Sequence, residues 1–426
     1  MRHSLSNRDH HAIWHPYTQH KNARPPIAIA KGKGALLYDE SGKSYIDAIS
    51  SWWVTIHGHG HPYIARRIYE QAKKLEHVIF AGFTHEPAVQ LAERLLPILP
   101  GKLSKIFYSD NGSTAVEVAI KMAIQFWKNQ RTFTTLKGQK RRRVLALRHS
   151  YHGDTFGSMS ISEKGIFIKP FKDYLFNVDF IEAPTPQNIE EILRFIDSVG
   201  SQTACFIYEP LLQAAGGMNL IDPLSLDRLL TKIKSKNIIC IADEVMTGFY
   251  RTGKFFASDY LVQKPDIICL SKGLTGGTMA LGITAATEQI FEAFCSDDQW
   301  KTFFHGHSFT ANPIACTASL ASLDLIDTEK SPAKVARIED RHRDFLSLVK
   351  NKKLKFRNAR QLGTVLAFET TAKKGGYLAG EGKVINRRAL ERGIFLRPLG
   401  NTVYLMPPYC ITDRQLNRIY AFLEEL

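Results

Sequence analysis

Cysteine is scarce in this chain: Cys205, Cys240, Cys269, Cys295, Cys316 and Cys410 are the six among 426 residues, and no two form a C-x-x-C pair. That spacing excludes a disulfide scaffold and a cysteine zinc site. Three of the six lie inside apolar runs, as buried thiols of a reducing compartment do. No uninterrupted apolar stretch approaches the ~18 residues that a membrane helix needs. The opening MRHSLSNRDHHAIWHP carries charge with no apolar run behind it, so neither a leader nor an anchor is read there and a cytoplasmic protein is expected. Repeats and low-complexity tracts are also missing. A hydrophobic fraction of 44% with 23% charged residues belongs to a folded chain, long enough for two or three lobes.

Acidic residues are in deficit, 41 against 56 basic ones, for a formal net charge of +15. Such an excess can serve nucleic acid or anionic lipid. Here the basic residues are dispersed, and the one dense run, KGQKRRR at 137–143, falls between a helical stretch and an apolar strand, where a solvated loop is expected. No zinc-finger, basic-zipper or RNA-sheet signature accompanies the charge. The expected partners are therefore small-molecule substrates, with no nucleic acid and no membrane.

From about residue 105 to 290, short apolar runs alternate with helical periodicity. KIFYS (105–109), RVLAL (143–147), TACFIYE (203–209), IICIADE (238–244), DIICLS (266–271) and LGITAAT (281–287) are too short for buried helices and read as strands. Their flat hydrophobicity suits strands covered on both faces, as in a parallel sheet. Ala115, Ala119, Met122 and Phe126 recur at helical spacing across 113–129, and two more helices are expected over 224–236 and after Asn312-Pro313. This alternation predicts an α/β fold: a large doubly wound, mostly parallel domain over 61–329, with ligand sites at the carboxyl ends of its strands. Residues 1–60 and 330–426 mix turn signals, short strands and a helix, which predicts a smaller lobe built from both chain ends.

IICIADE ends with Asp243-Glu244, and Lys272 follows DIICLS 29 residues past Asp243. Either residue alone says little, but together they set a carboxylate and an amine at one edge of a sheet. Pyridoxal 5'-phosphate needs an amine for its aldehyde, an acid that keeps its ring nitrogen protonated, and a cradle for its phosphate. Lys272 and Asp243 meet the first two needs. SDNGSTAVE (109–117) offers the third, because Gly112 permits a tight turn and Ser113 opens a helix whose N–H groups and dipole favour an anion. Tyr151, in RHSYHGDTFGSMS (148–160), follows another strand and can stack on the ring. Lys272, Asp243 and Tyr151 are the expected catalytic residues.

In chain order, SDNGSTAVE, YHGDTFGSMS, EPLLQAAGGM, ADEVMTGFYRTG, LSKGLTGG and HGHSFTANP resemble the motifs of class III aminotransferases of fold type I. The match runs over nearly the whole chain, and the last three motifs are the specific ones. The resemblance implies a pyridoxal-phosphate-dependent transaminase. It also implies an obligate homodimer in which Ser308 reaches the phosphate of the partner's site. Three further segments, IWHPYTQ (13–19), SSWWVTIHGHGHP (50–62) and LRPLGNTVYLMPPY (396–409), are similar to one branch of that family. They imply that Tyr17, Trp52 and Trp53 line a pocket for the apolar chain of a keto substrate, and that Arg397 binds a substrate carboxylate through its planar fork. By the same resemblance Asp154 and Arg251 border the substrate site. FYRTG has Tyr250 where the family commonly has glycine, and the amino donor is left open.

His57, His59 and His61 alternate, which on a strand would aim them at a common metal. Gly58, Gly60 and Pro62 argue for a loop instead, and no acid or cysteine stands near in sequence, so no metal site is expected. Without its flanking motifs the Trp52-Trp53 pair would read as core. An Asp243–Lys272 ion pair kept for stability alone would be a poor bargain, because desolvation offsets the attraction.

Overall fold

A computed structural model of the chain describes residues 4–130, 141–163, 165–352, 354, 356–370 and 380–426; most of the KGQKRRR run lies outside them. Strands Leu103–Ser109 (β1), Arg143–Leu147 (β2), Asp179–Ile181 (β3), Thr203–Tyr208 (β4), Ile239–Asp243 (β5), Ile267–Leu270 (β6) and Gly282–Thr287 (β7) form one sheet in the order β1-β7-β6-β5-β4-β2-β3. Every residue of β4 and β5 is buried, which accounts for their unbroken hydrophobicity. Strands β6, β5, β4, β2 and β3 run parallel. Strand β7 runs antiparallel to both its neighbours. The link from 271 to 281 is too short for a parallel crossover of a dozen or more residues, so the chain folds back through a single helical turn, Lys272–Thr275.

Helices cover both faces. The large domain carries Pro62–Lys74 (α1), Glu86–Leu95 (α2), Gly112–Asn129 (α3), Ile189–Val199 (α4), Pro223–Ser235 (α5) and Pro313–Thr328 (α6). On one face Ala115, Ala119 and Phe126 of α3 pack with Ile207, Ile241 and Ile267. On the other, Ile196 of α4 and Leu229 of α5 pack with Phe206, Cys240 and Ile268. Adjacent strand residues thus go to opposite sides, as the pleat requires, and each side is sealed from water.

The two chain ends meet in a smaller lobe. Strands Ile29–Lys33, Leu36–Asp39 and Ser44–Asp47 form an antiparallel sheet that Ile394–Phe395 extends in parallel. Arg357–Leu362, Val365–Glu369 and Thr402–Leu405 form a second sheet. Helices Ser331–Asn351 (α7), Gly380–Glu391 (α8) and Asp413–Glu424 (α9) complete the lobe around Ile46, Ile338, Phe345, Phe368 and Leu416. Among the described residues no helix is long and apolar enough to cross a membrane.

Candidate active site

The carboxyl ends of the parallel strands open onto a cavity of about 750 Å³. Asp243, the last residue of β5, reaches it and is 6% exposed. Its Oδ2 lies 2.7 Å from Nδ1 of His152, and its Oδ1 accepts the N–H of Val245 at 3.1 Å, so the carboxylate is fixed in one orientation. Glu209 follows β4 and accepts the N–H groups of Tyr151 and Ala214 at 3.1 and 3.0 Å. Burial, with the charge of Asp243 adding to it and His152 opposing it, pushes the Glu209 carboxyl up to about 7.

Lys272 begins the turn after β6 with φ of 46°. That turn is braced from beneath by α6: Ser322 Oγ lies 3.0 Å from His57 Nε2 and 3.4 Å from the carbonyl of Gly273. Burial brings the Lys272 ammonium down to about 8, against the opposing pull of Asp243 and Glu209. A substantial neutral fraction near physiological pH is what a nucleophilic or proton-carrying amine needs. Its Nζ stands 4.7 Å from the ring centroid of Trp53.

Across the cavity, Asn111 caps α3, its side chain accepting the Thr114 N–H at 3.0 Å while Thr114 Oγ1 accepts from the Asn111 N–H at 3.1 Å. The cap engages the Thr114 N–H, whereas Gly112 and Ser113 line the cavity at the first helical turn, where backbone donors have no intrahelical partner. A Cβ on Gly112 would meet Val245 Cγ1 at 2.7 Å, so glycine is what lets the loop after β5 close on the helix start. An anion cradle, a fixed carboxylate, an amine of lowered basicity and the Tyr151 side chain share one cavity. This donor set fits pyridoxal phosphate. Gly112 and Ser113 would hold its phosphate, Asp243 its ring nitrogen and Lys272 its aldehyde.

Around the mouth, Tyr17 donates its hydroxyl to Asp154 and lies 3.4 Å from the Tyr151 hydroxyl. The Tyr17 ring stands 5.4 Å from Trp52, and the Arg397 guanidinium lies 4.5 Å from the Trp52 ring. Trp53 lines the cavity and donates its indole N–H to Tyr404 at 2.9 Å. Tyr17, Trp52, Trp53, Asp154 and Arg397 are thus brought together. Arg251 is not: the structure places it behind the wall, 1% exposed, with its Nη1 donating to Pro407 O at 2.9 Å and its Nη2 to Trp53 and Thr55 carbonyls at 3.4 and 3.3 Å. The backbone just before it is left-handed at Phe249 and Tyr250, with φ of 61° and 72°. That conformation explains the family's glycine at the second position. Ser308 is exposed and absent from its own chain's cavity lining.

His57, His59 and His61 take separate partners, Ser322, Asp47 and Glu329, and no metal-holding group of three side chains occurs among the described residues. Motif spacing passed over two residues of weight: His152 as the partner of Asp243, and Glu209. The second had a signal, since it closes TACFIYE much as Asp243-Glu244 closes IICIADE.

The lowered basicity of Lys272 sets a pH dependence. Because the neutral amine is the nucleophile, the rate at which cofactor-free protein forms its yellow adduct with pyridoxal phosphate is expected to fall ~tenfold per pH unit below about 8 and to level off above it. Stopped-flow absorbance between pH 6 and 9, an assay range, checks this. A midpoint near the ordinary lysine value contradicts it.

The Aminotransferase class-III family profile matches residues 17–426. An adenosylmethionine-8-amino-7-oxononanoate aminotransferase of Synechococcus elongatus is 46% identical, with 98% of each chain covered, and one of Geobacter sulfurreducens is 35% identical over 99% of this chain and 97% of its own. Among solved structures, the enzyme of that name from Methanocaldococcus jannaschii superposes with a TM-score of 0.92 at 33% identity, covering 99% of this chain and 98% of the other. An amine transaminase from an uncultivated Pseudomonas species, solved in its PLP-bound form, does so at 0.88 and 28% identity over 97% of both. A match of that extent to a cavity already equipped with amine, acid and anion cradle leaves one assignment: the chain belongs to the class-III aminotransferases.

Proposed function

We propose that this protein transfers the amino group of S-adenosylmethionine to the ketone of 8-amino-7-oxononanoate, giving 7,8-diaminononanoate in biotin biosynthesis. The observation that carries the reading is the mouth of the cavity. Arg397 lies over Trp52 with no carboxylate paired to it among the described residues, and Tyr17 and Trp53 supply further aromatic surface. A guanidinium left unpaired among the described residues, beside aromatic rings, matches an acceptor with one carboxylate at the end of a hydrocarbon chain. The names of the full-length relatives favour the same substrates.

Bound pyridoxal phosphate supplies the electron sink and carries the amino group between the two substrates. The protein's part is proton handling and placement. Asp243, oriented by His152, would face the ring nitrogen. Lys272, of lowered basicity, takes up and returns the substrate's proton. Tyr17, hydrogen-bonded to Asp154 and packed against Trp52, borders the mouth. Its free thiols suit a reducing cytoplasm.

The reading includes a homodimer with shared sites. The segments around 76–84 and 303–312 touch one another: Asn312 Nδ2 donates to Glu76 O at 3.1 Å and His77 lies 5.3 Å from Phe309. Together they expose Ile79, Phe83, Phe304 and Phe309, each more than half accessible. Exposed apolar surface of this kind favours an interface, and in such a dimer Ser308, between Phe304 and Phe309 in sequence, would serve the partner's cradle.

Two experiments test these statements. With purified protein and 8-amino-7-oxononanoate, product mass is expected to rise with S-adenosylmethionine as donor, and initial-rate lines are expected to be parallel because one product leaves before the second substrate binds. Turnover only with lysine, or only with 4-aminobutyrate or ornithine chemistry, overturns the substrate assignment. For the interface, Phe309→Asp is expected to convert a dimer in sedimentation velocity to monomers that lose at least ~90% of activity, since a buried charge there is unpaired. An active monomer contradicts the shared site.

A further inference from the structure

We propose that Asp47, paired with His59, is a positioning residue for the acceptor pocket: its carboxylate locks the hooked backbone that sends Trp52 to the cavity mouth and Trp53 to its wall. The proposal rests on the acceptor reading given above.

The hook is strained. Ser50, Ser51 and Trp53 have φ of 52°, 60° and 69°, and Ser51 and Trp52 depart from helical geometry with ψ of −76° and 59°. Left-handed backbone crowds the Cβ of any residue but glycine. Three such residues among four persist only where the surroundings over-determine them.

Asp47 supplies that determination. It has no solvent exposure, and its carboxylate accepts four hydrogen bonds. Oδ1 takes the N–H groups of Ile49 at 3.3 Å and Ser51 at 2.8 Å, and Oδ2 takes Ser51 Oγ at 3.0 Å and His59 Nε2 at 2.8 Å. Three of the four donors belong to the hook or its entry. The fourth belongs to a residue whose own backbone is pinned to Gly34, at 2.7 and 3.1 Å. A carboxylate taken out of water is costly unless paired, and here His59 hydrogen-bonds to it and the buried Arg251 supplies opposite charge. Arg251 in turn binds the Trp53 and Thr55 carbonyls, so Asp47 and Arg251 both hold the same short segment.

Neither Asp47 nor His59 lines the cavity. What they hold does. Trp52 carries Arg397 and meets Tyr17, while Trp53 faces the Lys272 amine. Loosening the hook should therefore weaken acceptor binding and leave the cofactor's cradle and acid untouched, since those sit on β5 and α3.

Asp47→Asn and His59→Leu test this, with His59→Gln as the conservative variant that keeps a donor. Each is compared with wild type by KM for 8-amino-7-oxononanoate, by the dissociation constant of pyridoxal phosphate, and by 19F spectra of protein carrying 5-fluorotryptophan. We expect Asp47→Asn and His59→Leu to shift the Trp52 and Trp53 resonances alone, to raise KM at least ~tenfold and to hold cofactor affinity within ~twofold, with His59→Gln close to wild type. Unmoved Trp52 and Trp53 resonances, or a lowered melting temperature with unchanged KM, would overturn the proposal. If Asp47→Asn does not fold, His59→Leu, altered at a partly exposed residue, carries the same comparison. A wild type inactive on this acceptor removes the substrate reading instead, and the fluorine spectra then decide the positioning role by themselves.

Discussion

Two neighbouring parallel strands set the chemistry. In the pairing of β5 with β6, Asp243 stands opposite Cys269, so the carboxylate and the lysine that follows β6 emerge at one sheet edge into one cavity. The carboxylate is held by His152 and by the Val245 N–H. The amine stands at the left-handed first residue of a helical turn propped on α6 through Ser322, which also meets His57. Neither group could keep that relation on mobile loops. The doubly covered sheet, with β4 and β5 wholly buried, supplies the rigidity.

Burial then acts in opposite directions on opposite charges. It lowers the lysine to about 8 and raises Glu209 to about 7, because in both cases the charged form loses hydration. The result is a cavity in which an amine and a carboxyl both change protonation near neutral pH. His57, farther from the chemistry and pressed down to about 3 by burial, stays neutral and serves as a brace. The same desolvation that would weigh against stability elsewhere is what makes these groups useful here.

The fold was legible where strands are flat and short. RVLAL is a strand over the residues expected, and the helix read over 113–129 starts one residue earlier at Gly112. The reversal of LGITAAT was not legible, because direction depends on the length of the link and not on the strand's own residues. Asp179–Ile181 carries no period because it is three residues long, whereas α4 was legible, its Ile189, Ile192, Ile196 and Val199 standing at helical spacing. In the site, residues at strand ends could be read from position. Arg251 could not, since a left-handed turn just before it redirects its side chain inward. Asp47 gave no signal at all, its role being made wholly by the backbone it holds.

The most direct test of the account is the site of covalent attachment. Protein incubated with pyridoxal phosphate, reduced with borohydride and digested should carry the retained mass on the peptide containing Lys272, and Lys272→Ala should carry none. Label recovered at any other lysine, or no label in the wild type, contradicts the assignment of this amine and the chemistry built on it.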